Sequence, residues 1–468
     1  MRNCALGLLL AVPLSACMVG PDYRRPEVEV PAAWRLGATE AGILSNIAWW
    51  DQFQDPVLSD LVRTALASNK DLEIATANVD QAFAQYGIAR SAQFPQVNGG
   101  VSVARERSSA NGPLPGGRTV NDYAVNLSAS FELDIWGRLR RATESARASL
   151  LASQQGKGTV VLTVVATVAS GYIQLRALDR QLEIAQYTSQ SLGEAARLQR
   201  VRFEEGAVPQ SDYLQAESQY RDAVARVPEL EREIARQENF LSVLLGHNPG
   251  PIPRGRDIDA LLFPAVPEGL PASLLERRPD IRQAEQNLIA ANANIGVARA
   301  AYFPDISLTA LLGLESAQLS DLFKGPSRAW SFGTGVLQPI FNAGRIRGQV
   351  EQAEALQRQA LYTYEKSIIS AFQDVENALI DRTKFGQVRE EQAKNVEALR
   401  RFRDLADLRY REGATIYLEV ANAEQSLFNA QLAYVATQAQ LFQSYANLYK
   451  AIGGGWVEEA ERLISRGD

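Results

Sequence analysis

Between Arg345 and Tyr449 apolar residues return every three or four positions: Ile346, Val350, Ala353, Leu356, Ala360, Tyr364, Ile368, Phe372, Val375 and Leu379. That period predicts a long amphipathic helix whose stripe must pack on neighbouring helices. No proline interrupts it, and its one strong break is Glu412-Gly413-Ala414. At ~1.5 Å per residue the arm before the break runs about 100 Å, longer than a soluble core ordinarily needs. A second such rod is predicted from Arg140 to about Phe203, with Gly156, Gly158, Gly171 and Gly193 inside the helical pattern, where curvature or close packing accounts for them. Its return arm runs from about Ser211 to Leu245. Shorter helices are predicted from Asp55-Pro56 to about Arg90 and from about Pro279 to Ala300.

Elsewhere the period is two. Val97, Gly99, Val101 and Val103 alternate with polar or small residues. Tyr123, Val125, Leu127, Ala129, Phe131, Leu133 and Ile135 alternate with Asn126, Ser128, Ser130, Glu132 and Asp134. Ile306–Ser316 and Trp330–Ile340 follow the same plan. Each is a strand with one apolar and one wet face. Two readings fit: ordinary hairpins on a soluble core, or strands of a membrane barrel, apolar outside and polar inside. Four strands cannot close a barrel, and open edges cannot face lipid. Several chains would then share one sheet: two would give eight strands with a plugged lumen, three would give twelve with room for a channel.

The chain also repeats itself. Glu205-Gly206-Ala207 matches Glu412-Gly413-Ala414, with Arg202-Phe203 and Arg409-Tyr410 before the turn and Ala216-Glu217 and Ala423-Glu424 after it. Gly87-Ile88-Ala89-Arg90 with Phe94-Pro95 returns as Gly296-Val297-Ala298-Arg299 with Phe303-Pro304, and Gly137-Arg138 as Gly344-Arg345. Two copies of one unit are expected. The first would cover 56–248 (hairpin 96–136, tip near 206) and the second 273–452 (hairpin 305–341, tip near 413). A proline-rich crossover, 249–272, joins them, and a tail, 453–468, follows.

Composition narrows the partners. The 468 residues carry a net charge of −6 with mixed signs, which argues against nucleic acid. Arg2, the apolar run Ala5–Val12 and Leu14-Ser15-Ala16-Cys17 read as a secretory signal over 1–16, ahead of an extended arm over 17–55. Export favours the barrel reading of the hairpins. Val160–Val168 is the best later candidate for a membrane helix, but Thr163, Thr167, Gln174 and Arg176 make it a buried stretch of a bundle. The single histidine, His247, beside Asn248-Pro249, reads as a surface or cap residue. With Cys4 leaving in the signal, no second thiol remains for a disulfide or thiolate metal site. No phosphate-cradling loop is present, and Glu231/Glu233 and Glu390/Glu391 sit among basic residues as intrahelical pairs. No enzyme activity, metal or cofactor is expected.

Several motifs carry a family resemblance: Cys17 with Pro21-Asp22-Tyr23-Arg24-Arg25-Pro26; Glu132-Leu133-Asp134-Ile135-Trp136-Gly137-Arg138-Leu139-Arg140; Leu275-Glu276-Arg277-Arg278-Pro279-Asp280-Ile281; Ala298 to Pro304; and Leu448 to Trp456. Together they resemble outer-membrane efflux lipoproteins of the TolC superfamily, in the OprM-like (NodT) branch, over nearly the whole chain. The resemblance implies an α+β membrane protein. Long antiparallel helices would form a trimeric periplasmic α-barrel, with four strands per chain entering a shared 12-stranded transmembrane β-barrel. It further implies diacylglycerol and an acyl chain on Cys17, an outer-membrane location, and a passive exit duct of a tripartite pump. The partners would be a periplasmic adaptor (membrane fusion protein), an inner-membrane transporter of the resistance-nodulation-division class, and outer-membrane lipid. Drug efflux is the leading cargo reading, with metal efflux or type I protein secretion as the alternative. A coiled-coil lipoprotein with no pore is the competing class, disfavoured by the paired strands. Carried over position by position, the family's periplasmic gate falls on Asp212, Tyr410, Arg411, Leu418, Glu419 and Asn422. Leu418 would close the constriction, and Asp212 with Tyr410 and Arg411 would lock the helices. Relatives often have aspartate where Asn422 stands, so an acidic ring would rest on Glu419. The tip residues Gly206, Ala207, Gly413 and Ala414 would meet the adaptor.

Overall fold

A computed structural model describes residues 18–28, 30, 31, 34, 48–111, 117, 119–264 and 277–454. Cys4, Cys17 and the C-terminal tail beyond Gly454 lie outside these. Within them the order is α1 Pro56–Ser68, α2 Lys70–Ser91, β1 Gln96–Arg107, β2 Thr119–Glu132, α3 Arg138–Glu204, α4 Gln210–Leu244, α5 Pro279–Ala300, β3 Asp305–Ser316, β4 Arg328–Leu337, α6 Arg345–Arg411 and α7 Tyr417–Ala451. The long helices match in pairs: α3 and α6 have 67 residues each, and α4 and α7 have 35 each. The chain divides into two compact units, one of 1–27, 78–154 and 283–365, the other of 28–77, 155–282 and 366–468.

The first unit holds one antiparallel sheet in the order β1-β2-β3-β4. Its register sorts the side chains. Val101 faces Val125, which faces Leu314; Leu127 faces Leu312, which faces Trp330; Ala129 faces Ala310, which faces Phe332. Because strands alternate faces with period two, one side of all four strands is apolar. The other carries Asn98, Ser102, Asn126, Ser128, Ser130, Ser307, Thr309 and Ser331. Leu127, Leu312, Trp330, Phe332 and Val336 stay exposed on the apolar side.

The strands stop earlier than their alternation suggests. After Glu132 the chain turns so that the Asp134 carboxylate accepts from the N–H groups of Leu139 and Arg140, capping α3; Leu133 and Ile135 therefore lie beyond β2. β4 ends at Leu337, two residues before Pro339, which has no N–H for the ladder. Around this junction the family motifs act as packing joints. Trp136 stacks on Phe303 at 4.5 Å and donates to the Pro304 carbonyl. Arg141, nearly fully buried, pairs with Asp22 at 2.7 Å and Glu144 at 2.8 Å. Gly20 must be glycine twice over: its φ is +104°, and a Cβ would lie 2.5 Å from the Gly296 Cα.

The second unit is helical. Its main core joins Trp49, Trp50, Phe53, Leu58, Val165, Val168, Tyr172, Leu241 and Phe442. Trp49 stacks on Tyr449 at 5.2 Å. Among the described residues α3 is the one helix long and apolar enough to cross a membrane, and 67% of its most apolar window is buried in the protein. Val161, Val165 and Val168 have no exposure, so the Val160–Val168 run is core. Gly171 and Gly193 are seats for neighbours: a Cβ at Gly193 would lie 3.0 Å from the Tyr220 ring, and one at Gly171 3.1 Å from Gln237 and Leu241.

The helix expected from Pro56 to Arg90 is two helices. Asn69 breaks it, taking an extended conformation. Its side-chain oxygen accepts from the N–H groups of Asp71 and Leu72, while its amide donates to the Leu244 carbonyl at 2.8 Å. The asparagine ends α1, caps α2 and closes the last turn of α4.

Asp55, 1% exposed, is the buried joint between α1, α3 and the crossover. It accepts from Val57 N–H at 2.9 Å, the Tyr172 hydroxyl at 2.8 Å and Arg256 N–H at 3.0 Å. Burial, with Asp55 beside it, pushes the Tyr172 phenol up. Asp55→Ala leaves these donors unsatisfied and removes a helix cap, a loss of about 2–4 kcal/mol. The expected readout is a lowered apparent Tm of the purified protein, against an unchanged Tm for Asp60→Ala, whose carboxylate pairs with the exposed Arg63.

Candidate functional site

The two Glu-Gly-Ala turns end α3 and α6 in the same geometry. Gly206 and Gly413 both have φ +71°. Ala207 N–H reaches back to the Arg202 carbonyl at 2.7 Å, and Ala414 N–H to Arg409 at 2.8 Å. Gly206 and Gly413 bond to Phe203 and Tyr410 in the shorter loop of the same motif, which satisfies carbonyls left open at a helix end. A Cβ at either glycine would meet nothing within 4 Å, so the left-handed backbone, not space, requires glycine. Gly206, Ala207, Gly413 and Ala414 are all exposed.

The tips share a small core of Ala196, Ala216, Ala406, Tyr417, Val420, Ala421 and Ala423. Ala216 and Ala423 are the alanines of the repeated Ala-Glu pairs, and they let the helices approach. Two buried glutamines then tie one hairpin to the other. Gln219 donates to the Ala421 carbonyl at 2.7 Å, and Gln199 bonds the Tyr410 hydroxyl at 2.8 Å. Arg202 also donates to that hydroxyl at 2.8 Å and stands 5.4 Å from the ring centre. Tyr410 meets Tyr417 edge to face at 5.5 Å. Burial, followed by the neighbouring Tyr410, Glu424 and Asp212, pushes the Tyr417 phenol up to about 12, so it is neutral at any physiological pH.

The residues expected to gate are spread over both tips. Leu418 and Asn422, one turn apart on α7, are exposed, and Leu418 keeps 45% of its surface. Glu419 spans the turn to Arg409 at 2.7 Å. Asp212 and Glu419 both lie in the first turn of their helices, where the helix dipole favours negative charge. Arg411 pairs with Asp407 at 2.8 Å along its own helix, with 72% of its side chain exposed. Within one chain, then, Tyr410 and Arg411 are bonded to Gln199, Arg202 and Asp407, and the Asp212 carboxylate accepts from the Ser211 hydroxyl at 3.3 Å. The expected contact of Asp212 with Tyr410 and Arg411 is not made inside the chain. Gln199, Gln219 and Tyr417 had no mark in the sequence beyond helical spacing. Arg202 stood in the repeated Arg-aromatic pair, whose second copy, Arg409, does the different work of holding Glu419.

This architecture has counterparts among known proteins. The family model described as "Outer membrane efflux protein" matches the chain twice, over residues 61–247 and 270–454. The chain belongs to the outer membrane efflux protein family. Relatives of this efflux protein include the toluene efflux pump outer membrane protein TtgF of Pseudomonas putida, 36% identical with 97% of this chain and 98% of the relative covered. The cation efflux system protein CusC of Escherichia coli is 34% identical, covering 96% and 98%. Among solved structures, the open state of the Neisseria gonorrhoeae MtrE outer membrane channel superposes with a TM-score of 0.85 at 32% identity, covering 94% of this chain and 99% of that one. This efflux protein is accordingly an outer-membrane protein, and its solved relatives are channels.

Proposed function

We propose that the protein is the exit duct of a tripartite efflux pump, a passive conduit from a periplasmic adaptor and inner-membrane transporter to the exterior. The observation that carries this reading is the sheet: one face apolar over four strands, one polar, and two open edges, β1 and β4. Unpaired edges cannot rest in lipid. Three chains joined edge to edge give a twelve-stranded barrel, apolar outside and wide enough to conduct. The two matches of the family model and the equal lengths of α3 and α6 and of α4 and α7 support descent from a duplicated unit. Helices of about 100 Å suit a duct that crosses an aqueous gap. A diacylated Cys17 would anchor the assembly.

The tips form the gate in this reading. Leu418 and Asn422 share an exposed face and would point at the axis; Asp212 would meet Tyr410 and Arg411 of a neighbouring chain. The open groove of about 480 Å³ between α3 and α4, lined by Ser189, Gly193, Arg197, Glu217 and Tyr220, would seat an adaptor hairpin together with the exposed glycines and alanines of the turns. Cargo is chosen by the transporter, since a wide lumen selects weakly; TtgF and CusC are named for toluene and for cations. Leu418→Ala, or Asp212→Ala with Arg411→Ala, is expected to raise single-channel conductance several-fold and to let vancomycin enter cells. Unchanged conductance in a planar bilayer would remove the gate assignment. Deleting the gene should sensitise cells to dyes, detergents and antibiotics.

A further inference from the structure

We infer that the apolar face of the sheet carries a binding site for the phosphates of outer-leaflet lipid, formed by Arg105, Arg107 and Arg328. The inference rests on the outer-membrane reading above and adds a ligand to it. It starts from how the register distributes charge. β1 ends in Arg105-Glu106-Arg107, where sign alternates with position and hence with face. Arg105 and Arg107 continue the Val97, Val101, Val103 side; Glu106 continues the side of Asn98 and Ser102. The same sorting holds through the sheet. Asp122, Glu132, Asp305 and Glu315 all fall on the polar side, whereas Arg328, opposite Leu314, falls on the apolar side. Every arginine of the strands is on one face and every carboxylate on the other. Surface charges placed for solubility alone would mix signs on each face.

The three arginines also come to one height. Arg328 shares a rung with Leu314, Val125 and Val101, so it sits four residues short of Arg105 along β1. Four residues at ~3.3 Å each are about 13 Å, and three strand spacings of ~4.8 Å are about 14 Å. A strand tilt of roughly 40–45°, as in membrane barrels, brings Arg105 and Arg328 level. The strand ends are staggered in that same sense. β1 reaches Arg107 while β4 starts on the Val101 rung, and at the opposite end the Asp305–Leu337 rung lies beyond Gln96, where β1 begins. The tilt also brings Tyr123 and Trp330 toward one level, just inside the arginines, where an interfacial aromatic girdle belongs.

Arginine on a lipid-facing position is costly at mid-membrane and tolerated only at the interface. There the guanidinium fork matches phosphate oxygens bidentately. All three side chains are exposed, and none forms an ion pair among the described residues. By contrast Glu132, at the other end of its strand, is held by Arg138 and Arg140 pairs with Asp134 at 3.2 Å.

The test uses the full-length protein purified from outer membranes and reconstituted in vesicles of phosphatidylcholine, with or without 10-mol-percent-scale additions (about one lipid in ten) of lipid A or phosphatidylglycerol. Wild type is compared with the triple variant Arg105→Gln, Arg107→Gln, Arg328→Gln and with the polar-face variant Glu106→Gln, Asp122→Asn, Glu315→Gln. Expected is a rise in apparent Tm with lipid A, lost in the arginine variant and kept in the polar-face variant. Lipid A retention by the arginine variant should fall at least about tenfold. An equal rise in wild type and arginine variant, or no rise in wild type, overturns the inference. A rise matched by phosphatidylglycerol assigns the site to lipid phosphate in general and supports it. Failure of wild type to enter any vesicle would instead sink the outer-membrane reading on which it rests.

Discussion

Leu312→Arg is expected to keep the protein from assembling in the outer membrane. Leu312 stands mid-strand on the apolar face, on the rung of Leu127 and Trp330, and is 63% exposed in the single chain. An arginine at such a lipid-facing position costs about 2–4 kcal/mol per chain at mid-membrane depth. Three chains would each carry it. A drop of at least about thirtyfold in membrane-inserted, heat-labile oligomer is expected, since ~1.4 kcal/mol is a factor of ten. Leu311→Arg supplies the control. The same residue type, one position earlier on the same strand, faces the polar side, where a charge meets water. Outer-membrane fractions run unheated on a gel should show oligomer for Leu311→Arg and none for Leu312→Arg. Equal amounts of both would mean that the two faces of the sheet are not lipid and water.

Arg278→Met should destabilise the helical unit by about 1–3 kcal/mol, the range for leaving a hydrogen-bond acceptor unsatisfied, since the carboxylates it pairs with stay in part solvated. Arg278 is 8% exposed. It pairs with Asp280 at 2.6 Å and Asp374 at 3.0 Å, and it donates to the Ala451 carbonyl at 3.0 Å, closing the end of α7. Burial opposes its charge, but the hydrogen bonds and charges of Asp280 and Asp374 prevail and raise its pKa. One side chain therefore joins the start of α5, the middle of α6 and the end of α7. Arg278→Lys keeps the charge but not the two-sided fork, and should recover only part of the loss. The apparent Tm and the rate of protease cleavage near Gly453 report it. An unchanged Tm in Arg278→Met would show that the packed core around Leu448 and Val375 holds these helices alone.

Much of this fold was legible because its signals are long. A rod of 67 residues repeats its apolar period many times, and a strand that alternates over ten residues cannot hide its faces. What was missed is local. Asn69 splits α1 from α2, yet an asparagine in a helical pattern is mild in sequence. The Leu244 carbonyl waiting for its amide, together with the Asp71 and Leu72 N–H groups that its oxygen caps, makes the break favourable. Asp134 looked like one more polar position of a strand, and its role as the cap of α3 depends on where Leu139 and Arg140 begin their helix. Pro228, inside α4, gave no visible interruption because the helix is held by its neighbours through Leu230 and Ile234.

The candidate site was legible at the level of turns and not of bonds. The φ of +71° at Gly206 and Gly413 follows from the need to reverse the chain, and the repeat marked both. The partners of Tyr410 did not follow from it. Gln199 lies 211 residues away in sequence, and its choice of the Tyr410 hydroxyl is a matter of tertiary packing. The family motifs divide the same way. Those around Trp136, Arg141 and Arg278 are joints of the fold, whereas the positions expected to gate are mixed: Arg411, Leu418 and Asn422 are exposed, and Asp212, Tyr410 and Glu419 are half-buried.

The most direct test of the central claim is conductance of the purified oligomer in a planar lipid bilayer. Edges of β1 and β4 closed by neighbouring chains predict a trimer that opens discrete, reproducible ion-conducting steps and loses them when heat dissociates it. A monomeric protein that enters the bilayer without conducting, or that stays in solution with its apolar sheet face covered by its own chain, would contradict it.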